Sequence, residues 1–250
     1  MVLNKILISR EKLNSIPERE RIFFIEIGNL LNELNTLQKV IFIAAKYTED
    51  TLERRGRNLQ ALFFVRILAG KLSEAWELLK RDFFGAMLSQ EYETRLDSDA
   101  KKNLEKLKKY FSRQNLIHQI RNEFAFHYSS PEEIKRQLDE VPREEVFELL
   151  LAPEHGNCLY SMSDVILNFA LLNAVDPADP WRAMDRVLSE TFDVTRQFLD
   201  FLGECLVIIA DQYISLDSEK VEVSNPPALD DLALPYFVRP RKERANSTEV

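Results

Sequence analysis

An arginine, an asparagine and a histidine stand close together in the stretch IRNEFAFHYSS, residues 120–130. Arg121 offers a planar guanidinium that stays charged and binds phosphate oxygens through two parallel hydrogen bonds. His127 offers an imidazole, whose unperturbed pKa of about 6.5 suits it to proton transfer near neutral pH. Asn122 can orient either group or donate a hydrogen bond to it. These residue types suit a site that holds a phosphate and moves protons beside it.

Arg113 and His118 make a second Arg-to-His pair a few positions upstream, with four residues between them. Short patterns of this kind also arise by chance, so the spacing alone does not distinguish the two pairs. Their context differs, because Arg121 is followed directly by Asn122, whereas Arg113 is followed by Gln114. We therefore expect the downstream pair to be the functional one, and we expect His118 to serve packing.

The residues from Arg121 to Tyr128 resemble the signature of the HEPN superfamily (higher eukaryotes and prokaryotes nucleotide-binding domains). That signature has an arginine, then usually Asn, Asp or His, and a histidine after four to six intervening residues; Arg121 and His127 have five between them. The resemblance implies a metal-independent endoribonuclease in a toxin or antiphage-defence role. It implies that Arg121 holds the scissile phosphate and His127 moves protons, with Asn122 and Tyr128 in support.

RNA can be cleaved without a metal ion when a base takes the 2′-OH proton, an acid protonates the leaving 5′-oxygen and a cation stabilises the phosphorane. The resemblance accordingly implies no cofactor and no metal. It also implies an acidic side chain on an earlier helix that orients the arginine, for which Glu74 is the candidate. The alternative for Glu74 is an ordinary solvent-facing position. The partners implied are RNA, a second copy of the chain and a regulatory protein such as an antitoxin.

Helical geometry links the motif to a homodimer. On a straight helix, Leu116, Ile117, Ile120 and Phe124 form an apolar stripe, with Arg121 and His127 on its two edges, about 120° apart. If two copies packed along this stripe, the edge residues of both would converge on one cleft. The alternative is that Arg121 and His127 lie on the rim of an ordinary helix bundle, with their heads in water. The chain would then be a non-catalytic helical dimer that binds protein or nucleotide.

The sequence predicts an all-α fold, an antiparallel bundle of long helices. Few glycines and long runs of Leu, Ile, Phe, Glu and Lys favour helices over strands. Capping residues predict helix starts at Asp97 or Ser98, at Ser130-Pro131-Glu132-Glu133 and at Asp179-Pro180. The predicted helices cover about 18–47, 59–88, a segment starting near 98, a segment ending near 128, a segment starting at 131, a short segment from Pro142, 159–174 and 180–216. A polar linker is predicted over Thr48–Arg57, and a loop over 153–157.

Four basic residues recur at helical spacing after residue 98 and gather on one face: Lys102, Lys106, Lys109 and Arg113. This stripe is either a solvated outer face or a track that neutralises an RNA backbone without reading its sequence. The formal net charge of −8 means that any contact with nucleic acid must come from such a local patch.

The composition excludes several classes of protein. Two distant cysteines and three histidines without a clustered motif argue against a disulfide framework and against a metal site, and a reducing cytoplasm fits. The most apolar N-terminal stretch carries too many charges to span a membrane, and we expect no signal peptide.

Residues 1–216 form the predicted HEPN-like domain. Residues 217–250 form a proline- and charge-rich, poorly structured tail, whose segment LALPYFV is apolar enough to dock on the body or on a partner.

Overall fold

The chain forms a bundle of long helices with one small two-stranded sheet, in a computed structural model that describes residues 1–125, 129–214 and 217–239. The α-helices of these residues are α1 (Arg10–Ser15), α2 (Glu18–Ala44), α3 (Thr51–Leu78), α4 (Leu88–Arg95), α5 (Ser98–Phe111), α6 (Leu116–Gln119), α7 (Pro131–Glu140), α8 (Ser161–Val175) and α9 (Pro180–Tyr213). Strands β1 (Val2–Lys5) and β2 (Glu219–Glu222) pair in antiparallel register, with Val2 opposite Glu222. The predicted all-α fold class is confirmed.

The core lies where α2, α3 and α9 pack against one another, with α5 lying along α9. Aromatic rings fill its centre. Phe83 is fully buried, stacks on Phe23 with ring centroids 5.5 Å apart, and meets the edge of Phe201 at 5.4 Å. Burying such rings removes a large apolar area from water, and this holds α2, α9 and the segment that follows α3 against one another. Helices α3 and α9 contribute side chains to the candidate site.

The second long helix differs from its prediction at both ends. It begins at Thr51, because the Asp50 carboxylate caps it by accepting hydrogen bonds from the backbone N–H groups of Leu52 and Glu53, at 2.9 and 3.1 Å. The predicted polar linker Thr48–Arg57 is therefore wrong from residue 51 onward. The α-helix ends at Leu78 and continues as a π-helical segment, Leu79–Phe84.

Three predicted helix starts are confirmed by their caps. The Asp97 carboxylate accepts from Ala100 N at 2.7 Å, Ser130 and Glu133 form a reciprocal capping box before Pro131, and the Asp179 carboxylate accepts from Arg182 N at 3.1 Å. The short helix predicted from Pro142 is wrong. A single turn follows Pro142, in which the Glu145 backbone N–H donates to the Pro142 carbonyl at 3.0 Å. Further on, Leu150 bridges to Leu159, and the loop predicted over 153–157 contains a short 3₁₀ turn.

The apolar stripe predicted to carry the dimer is already covered within the chain. Leu116, Ile117 and Ile120 are buried, and α6 with the π-helical segment after it (Ile120–Ala125) packs against α3. The prediction that two copies pack along this stripe is therefore wrong, because the core of a single chain uses the same apolar surface. The segment is also not a straight α-helix, so the angular positions predicted for its edges do not apply.

Residues of the LALPYFV segment contact the body of the bundle, one of the two placements expected for this segment. The backbone N–H of Tyr236 donates to Glu53 Oε1 at 2.9 Å, and that of Phe237 donates to Glu53 Oε2 at 3.2 Å. The Tyr236 hydroxyl donates to the Cys158 carbonyl at 2.7 Å. Burial raises the pKa of Glu53, but the hydrogen bonds from the Arg57 side chain and from the backbone N–H groups of Tyr236 and Phe237 lower it more, so the pKa lies below its ordinary value. The tail also contributes β2, which the sequence did not predict.

Two helical glycines differ in what lies beside them, which gives a matched pair of substitutions. A Cβ at Gly56 would overlap the Tyr236 ring, whereas a Cβ at Gly203 meets no described atom within 4 Å. Because alanine favours a helix more than glycine does, we expect Gly203→Ala to raise the free energy of unfolding by about 0.5–1 kcal/mol. We expect Gly56→Ala to give no such gain and to release the tail.

Urea unfolding measures the first effect, and the rate of limited proteolysis after residue 228 measures the second. Equal stabilisation by both substitutions, with the tail equally protected, would show that the Tyr236 contact does not hold the tail.

Candidate functional site

An open cavity of about 1070 Å³ lies between α3, the segment that joins α5 to α6, and α9. Its lining includes three arginines, from three different parts of the chain: Arg113, Arg121 and Arg186. The Asn122 and His118 side chains, together with Glu74, Glu77 and Glu190, line the same space. The cavity therefore brings Arg121 and Asn122 of the motif together with residues far from them in the sequence.

Arg121 is held at the cavity by two polar neighbours. Its Nη1 donates to Asn122 Oδ1 at 3.0 Å, and its Nη2 lies 3.4 Å from Glu74 Oε1. The backbone at this point is the π-helical segment that packs on α3, the helix that carries Glu74. The proximity predicted for Glu74 and Arg121 is thus present, and Asn122 contacts the arginine rather than standing apart from it.

The Arg121–Glu74 contact is exposed, which limits its strength. The side chains are 42% and 63% exposed, and exposed ion pairs contribute about 0–1 kcal/mol. If Glu74 only orients Arg121, we expect Glu74→Gln to lower an Arg121-dependent cleavage rate by no more than about fivefold. Steady-state kinetics on a fluorescent RNA would measure this. A loss of a hundredfold or more would instead assign Glu74 a direct part in proton transfer.

His118 lies one turn before Arg121, and its surroundings favour the neutral ring. The Asn115 Oδ1 accepts from the His118 backbone N–H at 2.9 Å, so the Asn115 amide nitrogen is the atom 3.1 Å from His118 Nδ1. That nitrogen also donates towards the Tyr110 and Arg113 carbonyls, at 3.3 and 3.0 Å, and it cannot accept, so a hydrogen bond between the two side chains requires the ring proton on Nε2. Burial lowers the pKa of His118; Lys80 and Arg121 lower it further, and Glu77 opposes them. The ring also meets the edge of Phe111, with centroids 5.3 Å apart.

Tyr110 ties the two sides of the cavity together. Its hydroxyl donates to Glu190 Oε1 on α9 at 2.7 Å and accepts from the Ile117 backbone N–H on α6 at 3.3 Å. Burial, and then the neighbouring Glu190 carboxylate, raise the pKa of Tyr110, so the hydroxyl stays protonated and keeps donating. Glu190 in turn lies 4.0 Å from the Arg186 guanidinium.

The structure brings together some of the predicted site residues and separates others. Arg121, Asn122 and Glu74 meet at the cavity, whereas His127 and Tyr128 lie outside the described residues. In the basic stripe, Lys102, Lys106 and Lys109 are exposed along α5 and do not line the cavity, but Arg113 does.

Several side chains of the cavity were not assigned to the site from the sequence, among them His118 and Arg186. His118 was expected to serve packing; it does meet Phe111, but it also lines the cavity beside Arg121. The spacing of Arg113 and His118 was its only sequence signal. Arg186 had no signal at all, because α9 lies far along the chain from the motif.

Within the described residues, no group of three or more His, Cys, Asp or Glu side chains is placed to hold a metal ion. Among the same residues, no helix has the length and hydrophobicity needed to cross a bilayer. Comparison of the chain with protein-family models, with curated proteins and with solved structures gave no match.

Proposed function

We propose that the chain is a metal-independent endoribonuclease of the HEPN type that acts at the cavity containing Arg121. One observation supports this most: Arg121, the arginine of the motif, lies at a large open cavity between Asn122 and Glu74. An arginine that serves only the fold usually packs its stem and leaves its head in water. Here the head lines a concave surface that has room for a ligand.

Arg121 and His127 have different roles in the proposed reaction. Arg121 binds the non-bridging oxygens of the scissile phosphate and stabilises the charge that grows on them in the transition state. His127 exchanges protons with the 2′-OH or with the leaving 5′-oxygen. The attacking 2′-oxygen forms a bond to phosphorus as the bond to the 5′-oxygen breaks, which leaves a 2′,3′-cyclic phosphate and a 5′-hydroxyl.

The wider setting of the proposal follows from the resemblance. It comprises a toxin or antiphage-defence role in the cytoplasm, a regulatory protein such as an antitoxin, and a homodimer. Since the stripe of Leu116, Ile117 and Ile120 is buried inside one chain, such a dimer must use another face.

A cleavage assay tests the proposal. Purified protein is incubated with total cellular RNA, with and without EDTA, beside a His127→Ala variant. We expect cleavage that EDTA does not inhibit, products that end in a cyclic phosphate, and loss of cleavage in the variant with unchanged helical circular dichroism. Equal cleavage by the wild type and by His127→Ala would assign the activity to a contaminant or to another site.

The alternative function is a non-catalytic helical module that binds protein or nucleotide. A second groove of about 510 Å³ favours it. The groove is lined by apolar side chains such as Leu62, Val146 and Phe147, and Val146 is 80% exposed. A protein that cleaves no RNA but binds a nucleotide in the Arg121 cavity would be such a module.

A further inference from the structure

We propose that the cavity holds several phosphates of a single RNA strand, with Arg113 and Arg186 each binding a phosphate other than the one at Arg121. The inference rests on the proposed function for the choice of RNA as the ligand. It assigns a role to two residues that the Arg-to-His motif does not include.

The three guanidiniums of the cavity have weak partners. No described residue forms a hydrogen bond or an ion pair with the Arg113 side chain. The Arg186 Nε lies 4.0 Å from Glu190, and its Nη1 donates to the Val175 carbonyl at 3.4 Å. By contrast, the Arg57 side chain is only 12% exposed, and its Nε donates to Glu53 Oε1 at 2.7 Å. Weakly held guanidiniums around one concave space favour an external anion.

Two of the three carboxylates that line the cavity have close donors of their own, and the third, Glu74, lies 3.4 Å from Arg121 Nη2. Glu190 accepts from the Tyr110 hydroxyl at 2.7 Å, and Glu77 lies 2.7 Å from Lys80 Nζ. Because these donors reduce the negative charge that the acids present to the cavity, an incoming phosphate meets less repulsion than the acid count suggests.

His118 adds a second kind of polar group to the lining of the cavity. With Nδ1 3.1 Å from the Asn115 amide nitrogen, the Nε2–H of the neutral ring is the group that can donate to an oxygen of the ligand. Asn115 caps α6 and thereby holds the backbone that carries the ring. The upstream Arg113–His118 pair and Arg121 thus line the same cavity.

The cavity is large for a single small ligand. Pockets for small molecules measure about 300–1,000 Å³, and this open cavity, at about 1070 Å³, lies at the upper end of that range. A single strand can therefore occupy more of it than one nucleotide can, and can bring phosphates to more than one guanidinium. The net charge of −8 provides no long-range attraction, so local contacts must supply the affinity.

Salt dependence of binding tests the number of phosphates held. The probe is a fluorescent single-stranded 2′-O-methyl RNA of eight nucleotides, which lacks the attacking 2′-OH and cannot be cleaved by the proposed reaction. Each phosphate contact on a single strand contributes about 0.7 to the slope of log K against log salt. We expect Arg113→Gln and Arg186→Gln each to lower that slope by about 0.7 and to weaken binding about tenfold at low salt.

Arg196→Gln is the matched control, because Arg196 is an exposed arginine on α9 that pairs with Asp193 and does not line the cavity. We expect it to bind as the wild type does. Wild-type affinity and slope in both cavity variants, no binding by the wild-type protein, or equal binding of a matched duplex would each overturn the inference.

The probe also separates this inference from the proposed function. If the cavity variants weaken binding of the probe but the wild type cleaves no RNA, the strand site stands and the nuclease does not. If RNA is cleaved and both variants bind and cleave as the wild type does, the nuclease stands and the extended site does not.

Discussion

Replacing Arg121 by alanine is expected to lower RNA cleavage by about a thousandfold or more, because a cation that stabilises transition-state charge contributes that much in comparable sites. Arg121→Lys keeps the charge but loses the planar fork that meets two phosphate oxygens, so we expect it to recover only a small part of the rate. Single-turnover cleavage of a labelled RNA with enzyme in excess measures both rates. It isolates the chemical step from product release.

Arg196→Ala serves as the control, since it removes an exposed arginine from the surface outside the cavity. It should cleave at the wild-type rate. Circular dichroism should be the same for all four proteins, because the Arg121 contacts are exposed and contribute little to stability. If Arg121→Ala retained cleavage within about threefold of the wild type, the guanidinium would not stabilise the transition state and the proposed site would be wrong.

Phe83→Ala is expected to lower the free energy of unfolding by about 3–5 kcal/mol, the range for large-to-small changes at buried aromatic residues. The ring is 0% exposed and contacts Phe23, Phe84 and Phe201. Removing it leaves a cavity at the end of the π-helical segment that follows α3, where α2 and α9 meet it. Equilibrium urea unfolding followed by far-UV circular dichroism measures the loss.

Phe63→Ala gives the comparison at an exposed phenylalanine. Phe63 lies on α3, is 54% exposed and meets the edge of Phe64. We expect it to cost less than about 1 kcal/mol, because little apolar area returns to water. Similar losses for the two substitutions would mean that the Phe23–Phe83–Phe201 cluster does not form the packed centre of the bundle.

Local features of the fold were predictable because they depend on residues close together in the sequence. The caps at Asp97, Ser130 and Asp179 each join a side chain to a backbone group within three residues. The predicted helix at Pro142 failed for a related reason. The residues Pro142-Arg143-Glu144-Glu145 suit a helix start, but the chain makes a single turn there and then bridges from Leu150 to Leu159, a contact that the local pattern does not specify.

The candidate site was predictable only where the motif itself lies. Arg121 and Asn122 were expected to act together, but adjacent side chains on a helix do not face each other, so their hydrogen bond is seen only in the structure. Glu74 was expected near them only because the resemblance implied an acidic residue there. The expectation that the apolar stripe faces a second copy was wrong, because periodicity shows that a face is apolar but not which surface covers it.

The sequence by itself determined the helical class, most helix starts and the identity of the arginine at the candidate site, since short-range hydrogen bonds and side-chain periodicity encode these. Tertiary structure decided what surrounds that arginine. Packing α6 and the π-helical segment after it on α3, with α9 close by, places His118 and Arg186 beside Arg121 at one cavity and buries the apolar stripe. Such convergence depends on apolar burial between segments far apart in the chain, and hydrophobic attraction has no direction that a local pattern could specify.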